Sequence, residues 1–320
     1  MTINNNEKNV ELYFSHPNVS LDGKSSVLAL GTFDGVHIAH RHLLTRAREL
    51  KEGISADLCG AWCFEESPAS VLRCEKQVQL TSKEEKIKHL LDCGLDFVAM
   101  GRFHDFKDVS AEDFIKSVLQ DRLGCIGTVS GYDHRFGHKG LGTPLMLEEV
   151  FGKNNTVIVP KIVLNEEIVG STQIRAHLSS GDVKNANAML GRCFSITSKV
   201  TEGKRLGRRL GFPTANQPYP AGTAPLKHGV YATLCVLDDG KEYFGVTNVG
   251  IRPSISEGDD HALNCETHLI NFSGDIYGSE LTLRFCEFLR EETTFSSLES
   301  LTDAIKTDTE RAIEYFRQGK

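Results

Sequence analysis

The sequence has no Cys-x-x-Cys pair, no long apolar run and no long basic run, and each absence removes a class of protein. Nine cysteines are scattered singly, most of them in apolar stretches such as Leu58-Cys59, Trp62-Cys63-Phe64 and Phe285-Cys286. An odd number without paired spacing argues against zinc or a disulfide framework. These are expected to be reduced core thiols of a cytoplasmic protein. No apolar run approaches the roughly 18 residues of a membrane span, and Met1 to Ser26 carries no apolar core of signal-peptide length, so no membrane partner is expected. The formal net charge is -7. Without a long basic run, nucleic acid is not expected as a partner either. Internal repeats and low-complexity segments are also missing. What remains is a globular chain of 320 residues, long enough for two cores.

The first half alternates. Strand-like runs at Val27–Leu30, Ala56–Phe64, Phe97–Met100, Ile126–Ser130 and Thr156–Val159 are separated by amphipathic helical segments. Thr81-Ser-Lys-Glu84 reads as a capping box before one helix, and Ser110-Ala-Glu-Asp113 opens another. This order predicts a Rossmann-like α/β domain, a parallel sheet with helices on both faces. Ligands of such sheets bind at the carboxyl ends of the strands. Gly31-Thr-Phe-Asp-Gly-Val-His37, with His40, follows the first strong strand. A turn that aims backbone N–H groups and a helix N-terminus at one spot suits phosphate, and two histidines three apart face the same way. Gly131-Tyr-Asp133, continuing through Arg135 to Gly137, and Gly170-Ser-Thr172 with Arg175 are two further loops of the same kind. Together the three predict a nucleotide site for phosphoryl or nucleotidyl transfer.

Near Gly181–Gly191 the pattern changes, and the chain is expected to divide into domains at 1–186 and 187–320. The second half is rich in β-branched and aromatic residues. Tyr231–Leu237, Asp238-Asp-Gly240 and Tyr243–Thr247 read as a hairpin. Leu263–Phe272 and Glu280–Phe288 add strands, and Ser297–Phe316 an amphipathic helix. A small antiparallel β-barrel with a C-terminal helix follows. Gly203, Gly207 and Gly211, spaced by four and interleaved with Lys204, Arg205, Arg208 and Arg209, suit a polyphosphate. Pro213-Thr-Ala-Asn216 supplies a hydroxyl and an amide of the hard-oxygen type that Mg²⁺ accepts, with a backbone bend expected so that both reach one ion. Glu266 sits among apolar neighbours, a costly place for a carboxylate unless it is used. It is expected to serve as a general base in phosphoryl transfer.

These residues resemble those of the prokaryotic bifunctional riboflavin kinases/FMN adenylyltransferases (FAD synthetases). The likeness runs from about Ser26 to Phe316. In the first half it rests on Gly31–His37 with His40, on Gly131-x-Asp-x-Arg-Phe-Gly137 and on Ser171-Thr-x-Ile-Arg175. In the second it rests on Gly207-Arg-x-Leu-Gly-x-Pro-Thr-Ala-Asn216, Gly229-Val-Tyr231, Gly245-Val-x-Asn-x-Gly-x-Arg-Pro253, Glu266-Thr-His-Leu269, Gly274-Asp-Ile-Tyr-Gly278 and Phe288-Leu-Arg290. Ala39 stands where that family usually has glycine. Gly170 replaces a usual serine, Gly140 a usual arginine, and His134 a usual aromatic.

The resemblance implies two ATP-dependent activities: phosphorylation of riboflavin to FMN in the second half, and adenylylation of FMN to FAD with release of pyrophosphate in the first. It implies Glu266 as the kinase base, Thr214 and Asn216 as holders of Mg²⁺, and His37, His40 and Arg175 as stabilisers of phosphate charge. Nucleotide contacts are implied at Gly31, Phe33, Asp34, Gly131, Asp133, Ser171, Thr172, Gly203, Gly207, Arg208, Gly211, Pro213, Thr214 and Asn216, and a flavin contact at Arg252. The competing reading is a riboflavin kinase with a degenerate adenylyltransferase domain. An oligomeric state does not follow from the sequence.

Overall fold

The computed structural model describes residues 10–13, 20–21, 23–66, 78–203, 207, 210–251 and 263–319. Two compact units divide between Ser171 and Thr172.

In the first unit six strands form one parallel sheet: β1 (Val10–Tyr13), β2 (Ser26–Leu30), β3 (Leu58–Phe64), β4 (Phe97–Gly101), β5 (Cys125–Gly131) and β6 (Thr156–Val159). Their order is β1-β4-β3-β2-β5-β6. A two-residue pair, β7 (Val163–Leu164) and β8 (Glu167–Ile168), stands apart. The strands carry side chains for two buried faces. Val27, Ala29 and Val129 pack under α1 (Ile38–Gly53) and α2 (Lys83–Asp92) through Leu43, Leu44, Ala47, Ile87 and Leu90. Leu28 and Leu30 meet Phe114, Ile115, Val118, Leu119 and Leu147 on the other side. Those come from α3 (Ala111–Asp113, continued in a wider turn as Phe114–Gln120) and α4 (Pro144–Phe151). Burying Leu43 and Leu44 contributes about 2 kcal/mol each.

The capping box of α2 sits one residue later than expected. Ser82 accepts from Glu85 N–H at 3.1 Å, and Glu85 accepts from Ser82 N–H at 3.2 Å. Thr81 is spent elsewhere: its hydroxyl accepts from Gly35 N–H at 3.4 Å.

The second unit holds α5 (Ser171–Ser180, which begins at the boundary) and α6 (Val183–Leu190), then six antiparallel strands and α7 (Leu298–Arg317). The strands are β9 (Phe194–Lys199), β10 (Ala215–Pro218), β11 (Gly229–Leu237), β12 (Glu242–Ile251), β13 (Leu263–Leu269) and β14 (Glu280–Arg290), in the order β10-β13-β12-β11-β14-β9. The sheet curls until its edges meet. There the seam is carried by single contacts rather than a ladder. Gln217 Nε2 donates to Ser198 O at 2.9 Å, Ser198 Oγ to Pro218 O at 2.9 Å, and Thr201 N to Asn216 O at 2.7 Å. Inside the curl lie Tyr231, Leu283, Phe285 and a hydroxyl chain in which Thr247 is 2.8 Å from Thr233 and 2.9 Å from Thr267. Each of these buried hydroxyls therefore has a partner.

Outside, α7 covers Val230, Ala232 and Val246 with Ala312, Ile313 and Phe316. It is clamped by Arg290, whose Nε and Nη2 reach the Asp308 carboxylate at 2.8–3.1 Å, with Asp308 only 2 % exposed. Asp308→Ala strands that guanidinium. It is expected to cost about 3 kcal/mol, read as a lower denaturant midpoint for loss of β-sheet circular dichroism. Strand β13 ends at Leu269, short of the expected Phe272, because Asn271 turns the chain with φ +60°.

Candidate active sites

In the first unit the strand order reverses between β2 and β5, which makes their carboxyl ends the ligand-binding crevice of this sheet class. Leu30 pairs with Ser130, so the Gly31 and Gly131 loops leave the sheet side by side. The first is held in an unusual backbone: φ is +49° at Phe33 and +37° at Val36, a β-branched residue. Such conformations cost roughly 1–3 kcal/mol each and persist where the surroundings enforce them. Here Asp34 Oδ1 accepts from Leu80 N–H at 2.8 Å, and Ser171 Oγ donates to Asp34 O at 2.9 Å. Phe33 is wholly buried and stands edge-on to His40 with ring centres 5.2 Å apart. Any nucleotide contact at Phe33 is therefore through its backbone.

His37 caps α1: its Nδ1 accepts from His40 N–H at 3.3 Å. That bond leaves the ring's proton on Nε2. The His40 ring stacks on it at 3.6 Å between centres, and His40 Nδ1 is buried without a partner. Burial first, then His37, then Lys86 push the His40 imidazole well below its ordinary pKa. The His40 imidazole is therefore held toward its neutral, N–H-donating form. Lys86 is 3 % exposed and donates to Phe64 O at 3.3 Å. On the β5 loop Asp133 and Arg135 are exposed, and burial lowers the His134 imidazole to about 4. Thr172 and Arg175 belong to the second unit, on α5.

In the second unit the register assembles a row. Asn216 of β10 faces Glu266 of β13, and Glu266 faces Asn248 of β12. Glu266 is exposed, while Cys265 and Thr267 are wholly buried. The expectation of a carboxylate among apolar neighbours is overturned: alternation turns Glu266 outward and its neighbours into the curl. The expected bend between Thr214 and Asn216 is also unnecessary, because alternate residues of an extended chain project to one side. Thr214 immediately precedes β10, and Asn216 is 6 % exposed.

Two glycines explain that burial. A Cβ on Gly203 would lie 2.4 Å from Asn216 Nδ2, and one on Gly207 would lie 2.3 Å from Phe212 O and 3.3 Å from Thr214 Oγ1. Gly203 thus lies directly on the amide and Gly207 beside the hydroxyl. Gly203→Ala is expected to displace Asn216 and slow phosphoryl transfer about tenfold, a loss of about 1.4 kcal/mol, with the first unit's reaction unchanged in the same preparation.

Gly211 turns the chain with φ +85°, and Pro213 O meets His268 Nδ1 at 3.0 Å. Arg208 and Arg252, with Lys204, Arg205 and Arg209, lie outside the described residues. Three participants escaped the sequence reading as site residues: Lys86, Asn248 and His268. Asn248 was visible only as part of Gly245-Val-x-Asn and His268 only as part of Glu266-Thr-His-Leu269; nothing local singled out Lys86.

The switch-point crevice with its two histidines, and the outward amide–carboxylate row beside Gly203 and Gly207, are the candidate sites of an enzyme with two phosphate-handling units. The sequence matches the family model described as FAD synthetase over residues 20–173 and that described as riboflavin kinase over residues 190–316. Among curated relatives, a bifunctional riboflavin kinase/FMN adenylyltransferase of Bacillus subtilis is 30% identical over 95% of this chain and 98% of its own. One of Escherichia coli is 34% identical over 91% and 92%. The chain belongs to the bifunctional riboflavin kinase/FMN adenylyltransferase family. A solved structure described as a macrolide-efflux protein from Streptococcus pneumoniae superposes with a TM-score of 0.84 at 24% identity, covering 94% of this chain and 97% of that one. At that identity the likeness is one of fold. Among the described residues no helix is long and apolar enough to cross a membrane.

Proposed function

We infer that this chain carries out two successive transfers from ATP: a phosphoryl group to riboflavin, giving FMN, and then an adenylyl group to FMN, giving FAD and pyrophosphate. The observation that carries this reading is coverage. Both family models fall on one chain, and it aligns with bifunctional relatives over nearly the full length of each. We assign adenylyl transfer to residues 1–186 and the kinase to 187–320. The competing reading, a kinase with a degenerate first domain, is disfavoured by the retention of His37, His40, Asp133 and Arg175 in the sequence.

For the kinase, Glu266 takes the proton of the riboflavin 5′-hydroxyl as that oxygen attacks the γ-phosphate. The Gly203–Gly211 loop and Pro213 hold the nucleotide with Arg208, and Arg252 is assigned to the flavin. Thr214 and Asn216 fit Mg²⁺ by the chemistry of their donors: a hydroxyl and an amide both offer hard oxygens, and Gly203 and Gly207 set no Cβ against them. Mg²⁺ bound there would neutralise phosphate charge, and two protein ligands suffice when the nucleotide supplies the others. For adenylyl transfer the nucleophile is the FMN phosphate, already an anion, so no base is needed. Gly31, Asp34, Gly131, Asp133, Ser171 and Thr172 position the nucleotide. His37, His40 and Arg175 stabilise charge on the α-phosphate and the leaving pyrophosphate. We place the enzyme in the cytoplasm, where ATP is made available and its cysteine thiols stay reduced.

The deciding assay incubates the pure protein with ATP, Mg²⁺ and either riboflavin or FMN, then separates the flavins. FMN from riboflavin and FAD from FMN are expected. FMN alone would select the kinase-only reading.

A further inference from the structure

We propose that Glu292 is a positioning residue for riboflavin phosphorylation: it holds the Asn248 amide, and the held amide sets the orientation of Glu266 on the neighbouring strand. The inference rests on the assignment of Glu266 as the kinase base. Asn248 and Glu266 are directly paired across β12 and β13, so their side chains leave the same face within contact distance. Asn248 Nδ2 donates to Glu292 Oε1 at 3.1 Å. An ionised carboxylate only accepts, so this bond turns the nitrogen end of the amide toward Glu292 and fixes which way the amide lies. Its second N–H is the one the inference assigns to Glu266, the residue paired with Asn248 across the strands.

The surrounding chain is built to keep Glu292 there. It follows Arg290, which Asp308 of α7 grips with both carboxylate oxygens. Beneath its carboxylate lies Gly250, two residues beyond Asn248 on the same face of β12. A Cβ on Gly250 would stand 2.2 Å from Glu292 Oε1. Only a residue without a side chain lets the carboxylate lie flat on the strand and reach the amide. Asn248, Gly250 and Glu292 are far apart in sequence or chemically unlike one another, yet they make one device beside the base.

The test compares Asn248→Ala, Glu292→Ala, Gly250→Ala, Glu292→Gln and the double variant Asn248→Ala/Glu292→Ala in the full chain. FMN formation is followed at varied riboflavin and ATP, with FMN-to-FAD conversion as the internal control for folding. Each of the three alanine singles is expected to lower kcat for FMN formation about tenfold with KM for ATP unchanged. The double variant should be no slower than either single, since parts of one unit are not additive. Glu292→Gln keeps an acceptor and should retain most of the rate. A double variant slower by the product of the singles, or a Glu292→Gln as slow as Glu292→Ala, overturns the inference. Glu266→Gln runs alongside. If it keeps full kinase activity, the assignment of the base falls and this inference with it. If it is inactive while the Asn248 and Glu292 variants match the wild type, this inference alone falls.

Discussion

Glu266→Gln is expected to lower FMN formation from riboflavin by a factor of roughly 10² to 10⁴, the range of a positioned general base, and to leave FMN-to-FAD conversion at the wild-type rate. The amide is nearly the shape of the carboxylate, so the row Asn216–Glu266–Asn248 keeps its packing. What is lost is the proton acceptor. Glu266 is exposed, and its outward position has a further consequence. The substitution leaves no buried group unpaired, so stability should be unchanged and the kinetic loss can be read as chemistry. The measurement is flavin separation after timed incubation with ATP and Mg²⁺, starting once from riboflavin and once from FMN. Equal loss of both activities would show that the two sites are not independent.

His40→Ala should do the converse, lowering FAD formation by roughly 10² to 10³, the cost of removing one preorganised donor from developing phosphate charge, while FMN formation persists. The chemistry behind this is specific. His40 is held neutral by burial, by the stacked His37 ring and by Lys86, so it acts as an N–H donor. A pH consequence has a definite sign. An imidazole with its pKa pushed below the usual 6.5 stays neutral as the medium is acidified from pH 7.5 to 6.5. FAD formation should therefore show no histidine-type inflection in that window, whereas an unperturbed histidine would titrate through it. Unchanged FAD output from His40→Ala would remove that residue from the mechanism.

Much of the architecture can be read in the chain because it is written locally. Strands β2 to β6 lie within two residues of their expected bounds, since apolar runs between capped helices leave little choice. The errors are errors of distance. Thr81 and Ser82 each have a glutamate three residues on. Only the reach of Gly35 N–H to the Thr81 hydroxyl decides that Ser82 caps α2. Alternation divides β13 into two faces, but which face is inside depends on the curl of six strands, so the exposure of Glu266 cannot be read from its apolar neighbours in sequence. Phe33 sits in the phosphate loop, and the burial of its ring follows from packing that its own segment does not announce. Its ring supports His40 from below. Lys86 and Asn248 reach their places only when separate elements meet, and no periodicity in their own segments announces them.

The row Asn216–Glu266–Asn248 draws each member from a different strand, and its geometry is a matter of phase. Sliding β13 by one residue would send Glu266 into the curl and bring Cys265 or Thr267 to the surface in its place. A chain with every strand formed but one of them out of step would carry a full complement of β-structure and a complete set of catalytic residues, and would still be inert as a kinase. Turnover of riboflavin is thus a finer gauge of correct assembly than any spectroscopic measure of secondary structure. Variants that misfold in this way should fail in the flavin assay while passing in the spectrometer.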